Sequence, residues 1–396
     1  IDTPRSQPRI TSSKTWRRFC APNRSGVAHE APEKTGCGAF RSLETTGRPM
    51  TYAMVLLIAG VLIVLVFDYT NGLQDAANML ATIVASRATT PIQAAILVSF
   101  FTFLGPILGG TAVANTIGNF VDVTNLESVA SLTVILAGLA GAISWNLITW
   151  WFGLPASSSQ ALVGGLVGAV VVAAGPSHVV WGFAAAATGQ LTGVTKVLGA
   201  LLISPVLGFL FGWVTHRIMS FALRGARPSA NRYLRGFQWL TTAALAFSHG
   251  TNDAQKGMGI IAMLLVLGGV SAEFYVPLWV ILASASAITL GTLAGGWRIV
   301  RTLGFGIYKV RPIHALDAQL TSAGVILAAS AIGGPVSTTQ VVSTAIMGIG
   351  ASERPKAVRW NTAQHIVGTW LITMPGAAAV SIGIYLLTQL VMEVSG

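Results

Sequence analysis

Two short hydroxyl runs, Ser157–Ser158–Ser159 and Ser337–Thr338–Thr339, each begin two residues after a proline, Pro155 and Pro335, inside otherwise apolar sequence. Proline favours the first turn of a helix, so both runs are predicted at the start of a helix. Backbone N–H groups there lack intrahelical partners and the dipole is positive, which makes a ready anion site. The hydroxyls add donors that rotate to fit a tetrahedral oxyanion. For one such run, N-capping or close helix packing is the plainer account. Two runs at matched positions favour the anion site.

A second pair of features is acidic. Asp68, Asp75, Asp253 and Lys256 are the main ionisable groups within apolar sequence, and a charge near a bilayer centre costs at least about 2.5 kcal/mol, so such groups are usually functional or paired. Asn71, Gly72, Gln74 and Asn78 surround Asp75, and Gly250 and Asn252 precede Asp253. The amide and carboxylate oxygens suit a hard cation such as Na⁺, and a carboxylate can equally carry a proton. The glycines are expected to loosen the helix and turn carbonyls inward. Lys256, one turn after Asp253, reads either as its ion-pair partner or as an attractor of anions. Asp68 has Ala at the corresponding position 246 and reads as structural or interfacial.

These residues need a frame, and composition indicates one. The 396 residues are 53% hydrophobic and 9% charged, with mean hydropathy +0.68, whereas soluble domains carry charge on about 25% of residues. Apolar segments are predicted near 52–68, 92–118, 130–152, 155–175, 194–216, 239–268, 277–296, 318–333, 335–350 and 364–391, most of them long enough for a helix to cross about 30 Å of hydrocarbon. The fold class is therefore an all-α polytopic membrane protein, not a β-barrel. The segments led by Pro155 and Pro335 either span or re-enter as hairpins.

A pI near 10.3 does not point to nucleic acid. Of fifteen Lys/Arg after residue 49, twelve fall in three loops, Arg217–Arg235, Arg298–Arg311 and Arg354–Arg359, the positive-inside signature of cytoplasmic loops. The loops with Asp122 and Glu127, and with Glu273, are expected outside. Lys196 is the exception to this threading. Residues 1–49 are polar, hold both cysteines and read as a disordered basic tail. Met50 and Met54 before the first apolar run suggest that translation starts at Met50 and that the tail is not native. The membrane part has no thiol chemistry.

The chain also repeats. "NGLQDAAN" (71–78) aligns with "HGTNDAQK" (249–256) at an offset of 253 − 75 = 178, and "GLPASSSQ" (153–160) with "GGPVSTTQ" (333–340) at 335 − 155 = 180. Repeats at 50–216 and 237–396, joined by a basic loop at 217–236, are expected. Five segments per half would place the second half upside down, an inverted-repeat plan with discontinuous helices and Pro-led half-helices or hairpins.

In these four ordered motifs, and in "AVRWNTAQHIVGTWLITMPGAA" near the end, the chain resembles the inorganic phosphate transporter (PiT) family over residues 52–391. The resemblance implies a symporter of inorganic phosphate with Na⁺ or H⁺, in some bacterial relatives of a metal–phosphate complex, in the cell membrane of a bacterium. It implies substrate contacts from Ser157, Ser158, Ser159, Ser337, Thr338, Thr339, Asn78 and Asn252, and cation coupling by Asp75, Asp253, Asn71 and Gln74. No cofactor and no resident metal are expected; the lipid bilayer is the surrounding partner, and a homo-oligomer is compatible with the sequence. Gln74 stands where many members have Asn, and Lys256 where the first repeat has Asn78. Sulfate or another oxyanion is the alternative substrate. A serine hydrolase using His249 or His365 lacks a G-x-S-x-G elbow and an orienting third group, so no enzyme is expected, and a passive channel would not need two matched carboxylates.

Overall fold

A computed structural model describes residues 47–121 and 128–395. The tail before residue 47, and Asp122 and Glu127 of the expected outer acidic loop, lie outside the described residues. Among the described residues thirteen α-helices follow in order: α1 (Gly47–Ala85), α2 (Pro91–Leu108), α3 (Ala112–Gly118), α4 (Ser128–Phe152), α5 (Ser158–Ala174), α6 (Phe183–Ala187), α7 (Gly193–Ala222), α8 (Ala230–Leu267), α9 (Leu278–Ala294), α10 (Trp297–Arg301), α11 (Pro312–Ala331), α12 (Thr338–Glu353) and α13 (Trp360–Ser395). Among the described residues the β structure is limited to one bridge, Val121 to Val179.

Among the described residues, five helices are long and apolar enough to cross a membrane, and a sixth crossing arises if α9 and the helical segment Trp297–Gly306, bent by 59°, count together. Hydropathy marks ten candidate segments, of which the two led by Pro155 and Pro335 are expected either to span or to re-enter. The Pro-led segments account for part of the difference: α5 has 17 residues and α12 has 16, each about 25 Å at 1.5 Å per residue, short of the hydrocarbon thickness. Each packs against the helix before it, α5 on α4 and α12 on α11, forming two helical hairpins. Their turns touch, since the Ser159 hydroxyl donates to the Val336 carbonyl at 3.0 Å.

The motif helices differ from expectation. Both α1 and α8 run unbroken through Gly72 and Gly250, so these glycines do not turn carbonyls inward. They let helices meet. A Cβ on Gly72 would collide with the Ile288 carbonyl of α9, and one on Gly250 with the Thr102 carbonyl of α2. The reciprocal notches are Gly291, against Tyr69 of α1, and Gly105, against Phe247 of α8. Small residues at such crossings allow the backbones to approach.

Two apolar clusters fill the bundle. One takes Leu57, Val64 and Phe67 of α1 with Ala254–Leu265 of α8, α4 and α5. The other takes Ala76–Ile83 of α1 with Leu245 and Ala246 of α8, α11 and α12. Asp75 and Asp253 fall at the seam between them. Away from that seam, Tyr308 donates to Glu353 at 2.7 Å, and Arg311 and His314 also close on this carboxylate, tying the end of α12 to the start of α11. Burial and the adjacent carboxylate push the Tyr308 phenol up to about 12.

Candidate functional site

Asp75, in the second half of α1, is buried. Its Oδ1 accepts from Thr339 Oγ1 at 2.6 Å and from Asn78 Nδ2 at 2.8 Å, and its Oδ2 accepts from Ser158 Oγ at 3.0 Å. One carboxylate thus ties the first turn of α5 to that of α12. Asn78 also reaches Thr339 at 3.0 Å and Thr338 at 3.4 Å.

Asp253 of α8 is the matching acid, fully buried. Its Oδ1 lies 2.5 Å from Lys256 Nζ, and its Oδ2 accepts from Thr338 Oγ1 at 3.1 Å and lies 3.2 Å from His249 Nδ1. Asn78 and Lys256 each donate to the aspartate three residues earlier on their own helix, so the two motifs build the same contact with different chemistry. Of the two sequence readings of Lys256, the ion pair is the geometry found. One ligand atom from each of Asp75, His249 and Asp253 falls within 4.8 Å of the others, close enough together to ligate one cation.

The structure brings together Asp75, Asp253, Asn78, Ser158, Thr338 and Thr339. Ser159 is adjacent but bonded to Val336. The hydroxyls of Ser157 and Ser337 accept from the Gln160 and Gln340 amides at 3.2 and 3.3 Å; these two are N-caps, the plainer account of the hydroxyl runs. Gln74 donates to the Ala156 carbonyl at 3.2 Å and to Thr149, fastening α1 to the turn before α5. Asn252 does the same for the other hairpin, donating to the Gly334 carbonyl at 3.1 Å and to Ser330. The side chain of Asn71 makes no hydrogen bond.

The amide oxygens of Asn71, Gln74, Asn78 and Asn252 are buried and accept no hydrogen bond within the protein. A buried oxygen left so costs about 1–3 kcal/mol. Oxygen atoms of this kind are ligands for a hard cation.

Sequence reasoning did not place His249 against Asp253, although their i, i+4 spacing on one helix carried the signal. It also passed over Asp317, buried on α11 and 2.7 Å from His216 of α7, which is not part of this site. Asp68 is fully buried and packs against Gly257, whose Cβ, if present, would overlap the carboxylate.

A bundle of apolar helices around a closed, charged site at the meeting of two hairpin turns defines a multi-pass membrane protein of the transporter class. The phosphate transporter family model matches residues 71–381, and the chain belongs to that family. It is 42% identical over 344 residues to a probable low-affinity inorganic phosphate transporter of Rhizobium meliloti (strain 1021), covering 86% of this chain and 99% of the relative. It is 40% identical to a protein of the same description from Bacillus subtilis (strain 168), covering 86% and 100%. A solved structure described as the sodium-dependent phosphate transporter superposes with a TM-score of 0.75 at 25% identity, covering 85% of this chain and 99% of that one. The chain is a transporter and not an enzyme, and its bacterial relatives point to the cell membrane.

Proposed function

We propose that this transporter moves inorganic phosphate together with Na⁺ or H⁺, with the oxyanion held at the starts of α5 and α12 and the coupling cation at Asp75. The observation that carries the reading is that a hydroxyl from each half-helix is bonded to a carboxylate of a motif helix. Ser158, Thr338 and Thr339 each have a single O–H, now given to Asp75 or Asp253; a cation or proton on the carboxylate frees these hydroxyls to turn to an oxyanion, which the backbone N–H groups of the two helix starts also attract. Each proposed repeat, 50–216 and 237–396, contributes one carboxylate and one half-helix, as an inverted pair would.

Coupling follows from charge. A phosphate beside two carboxylates is repelled, by about 4 kcal/mol per pair of unit charges at 4 Å and an effective dielectric near 20. Lys256 offsets Asp253, but no cationic side chain pairs with Asp75 among the described residues. A cation or proton at Asp75 removes that repulsion, so each ligand favours the other's binding by the same free energy. The unpartnered amide oxygens of Asn71 and Gln74, on the same helix, favour a metal cation, and the sodium-dependent structural relative supports Na⁺.

Phosphate uptake into proteoliposomes, with Na⁺ and H⁺ gradients imposed separately, tests the reading. Accumulation driven by one gradient is expected; none with either gradient would overturn it. Competition by sulfate in the same assay separates phosphate from the alternative oxyanion.

A further inference from the structure

Lys196 breaks the charge rule that the other loops obey. It is the fourth residue of α7, whose far end enters the Arg217–Arg235 loop some twenty residues later, about 30 Å along the helix axis. It therefore stands at the face opposite the basic loops. Its ammonium is half-buried, pairs with no carboxylate among the described residues, and donates to the Thr116 hydroxyl at 3.0 Å.

Around it lies a cavity of about 470 Å³, open on one side and lined by Asn115, Thr116, Asn119, Thr192, Lys196 and the hairpin turn at Ile332 and Gly333. Thr116 continues the chain of contacts by donating to the Gly333 carbonyl at 2.7 Å. The next residue, Gly334, accepts from Asn252 of the motif helix. Three residues further on, Ser337 caps α12. The cavity floor is thus the outer end of the segment that carries Thr338 and Thr339 to the buried site.

One cation among amides and hydroxyls is the donor set for a hydrated oxyanion: a charge to attract it and neutral N–H and O–H groups to orient it. A cation focused in a concave entrance also raises the local anion concentration and the rate of encounter. We propose that this cavity is an outer vestibule in which Lys196 collects a free tetrahedral oxyanion, phosphate above all, before the hairpin turn at Gly333 admits it to the buried site. The proposal rests on the phosphate-symport reading for the anion's destination, and Lys196 is a binding residue of the approach, separate from the carboxylate site.

The test reads occupancy of the vestibule directly. With Cys20→Ser and Cys37→Ser removing both native thiols, a Leu191→Cys change puts one thiol in the cavity wall, and its labelling by a neutral maleimide is timed in nanodiscs of zwitterionic lipid. Inorganic phosphate is expected to slow labelling several-fold, in an Asp75→Asn background as well, and to lose that effect in Lys196→Gln while keeping it in Lys196→Arg. In uptake assays Lys196→Gln is expected to reduce transport several-fold at low phosphate, with the deficit narrowing towards saturation and with weaker dependence on ionic strength. Thr116→Val, which removes the brace and leaves the charge, is expected to keep phosphate protection.

Equal labelling with and without phosphate in the native-lysine protein would overturn the vestibule. So would protection that disappears with Asp75→Asn, since the anion would then be acting from the buried site. Slowing by anionic lipid in the disc, with no effect of free phosphate, would assign Lys196 to a headgroup and also defeat the proposal. Failure of the symport reading is seen separately, as absence of gradient-driven phosphate uptake by the unmodified chain.

Discussion

Asp75 and Asp253 occupy equivalent places in two copies of one motif, yet their surroundings differ in a way that decides what each can do. Asp75 is held by neutral donors, Asn78, Ser158 and Thr339. Asp253 is held by the Lys256 ammonium, with His249 and Thr338 on its other oxygen. A buried carboxylate with a fixed ammonium is electrically complete; one with only neutral donors keeps its charge available to something that comes and goes. The recurring motif presents similar geometry twice, and the difference at one position, Asn78 against Lys256, makes the two copies unequal.

The difference can be broken from either side. Asp75→Asn is expected to have the largest effect on transport, lowering ion-driven phosphate accumulation to that of empty liposomes while the thermal midpoint in detergent barely moves, because an amide oxygen still accepts a hydrogen bond and no charge is left unpaired. A protein that still concentrates phosphate under the favoured gradient would remove Asp75 from the coupling role.

Lys256→Met is expected to act mainly on stability. It leaves the Asp253 carboxylate buried without its ammonium, a loss of about 3–5 kcal/mol, visible as a sharply lower melting temperature. Adding Asp253→Asn to Lys256→Met should recover part of it. If Lys256→Met unfolds no earlier than the parent, the ion pair does not stabilise α8.

Thr339→Ala is a finer probe. Loss of its bond to the charged Asp75 is expected to cost about 1.5–3 kcal/mol and to raise the phosphate KM, with Thr338→Ala milder because Asp253 keeps Lys256. The reverse order in melting temperatures would show that the two carboxylates are not held as described.

Ser157→Ala and Ser337→Ala should show the least. Each removes an N-cap, worth about 1 kcal/mol, and leaves the phosphate KM unaltered; a strongly raised KM in either would return that serine to the substrate contacts.

Much of this arrangement was legible in the chain before any coordinates. Two motifs repeating at offsets of 178 and 180 located both acids and both helix starts, because a duplicated site must repeat its spacing. Hydropathy found the apolar segments but could not separate a crossing helix from an arm of a hairpin, since α5 is nearly as apolar as α4 and differs chiefly in length, while α12 is both shorter and less apolar than its neighbours. Continuity of α1 through Gly72 was misread for a different reason. A glycine that loosens a helix and one that admits a neighbouring backbone look alike in sequence, and only Ile288, 216 residues away (288 − 72), distinguishes them. The capping role of Ser157 and Ser337 was hidden similarly: within a run of three hydroxyls, the one that faces its own helix is chosen by the backbone.

The reciprocal glycine notches have a consequence for how the protein is made. Gly105 of α2 accepts from Thr251 of α8, 146 residues later, and the groove of α1 at Gly72 is filled by α9. At translation rates of about 5–20 residues per second, the early helices are in the bilayer for on the order of ten seconds before the later ones are synthesised to meet them. During that interval lipid chains must fill the grooves, and α1 carries a buried aspartate with none of its cross-hairpin donors from α12. Final assembly therefore waits on the last third of the chain, and a truncation there is expected to leave the whole N-terminal half inserted but unassembled, a ready substrate for membrane quality-control proteases.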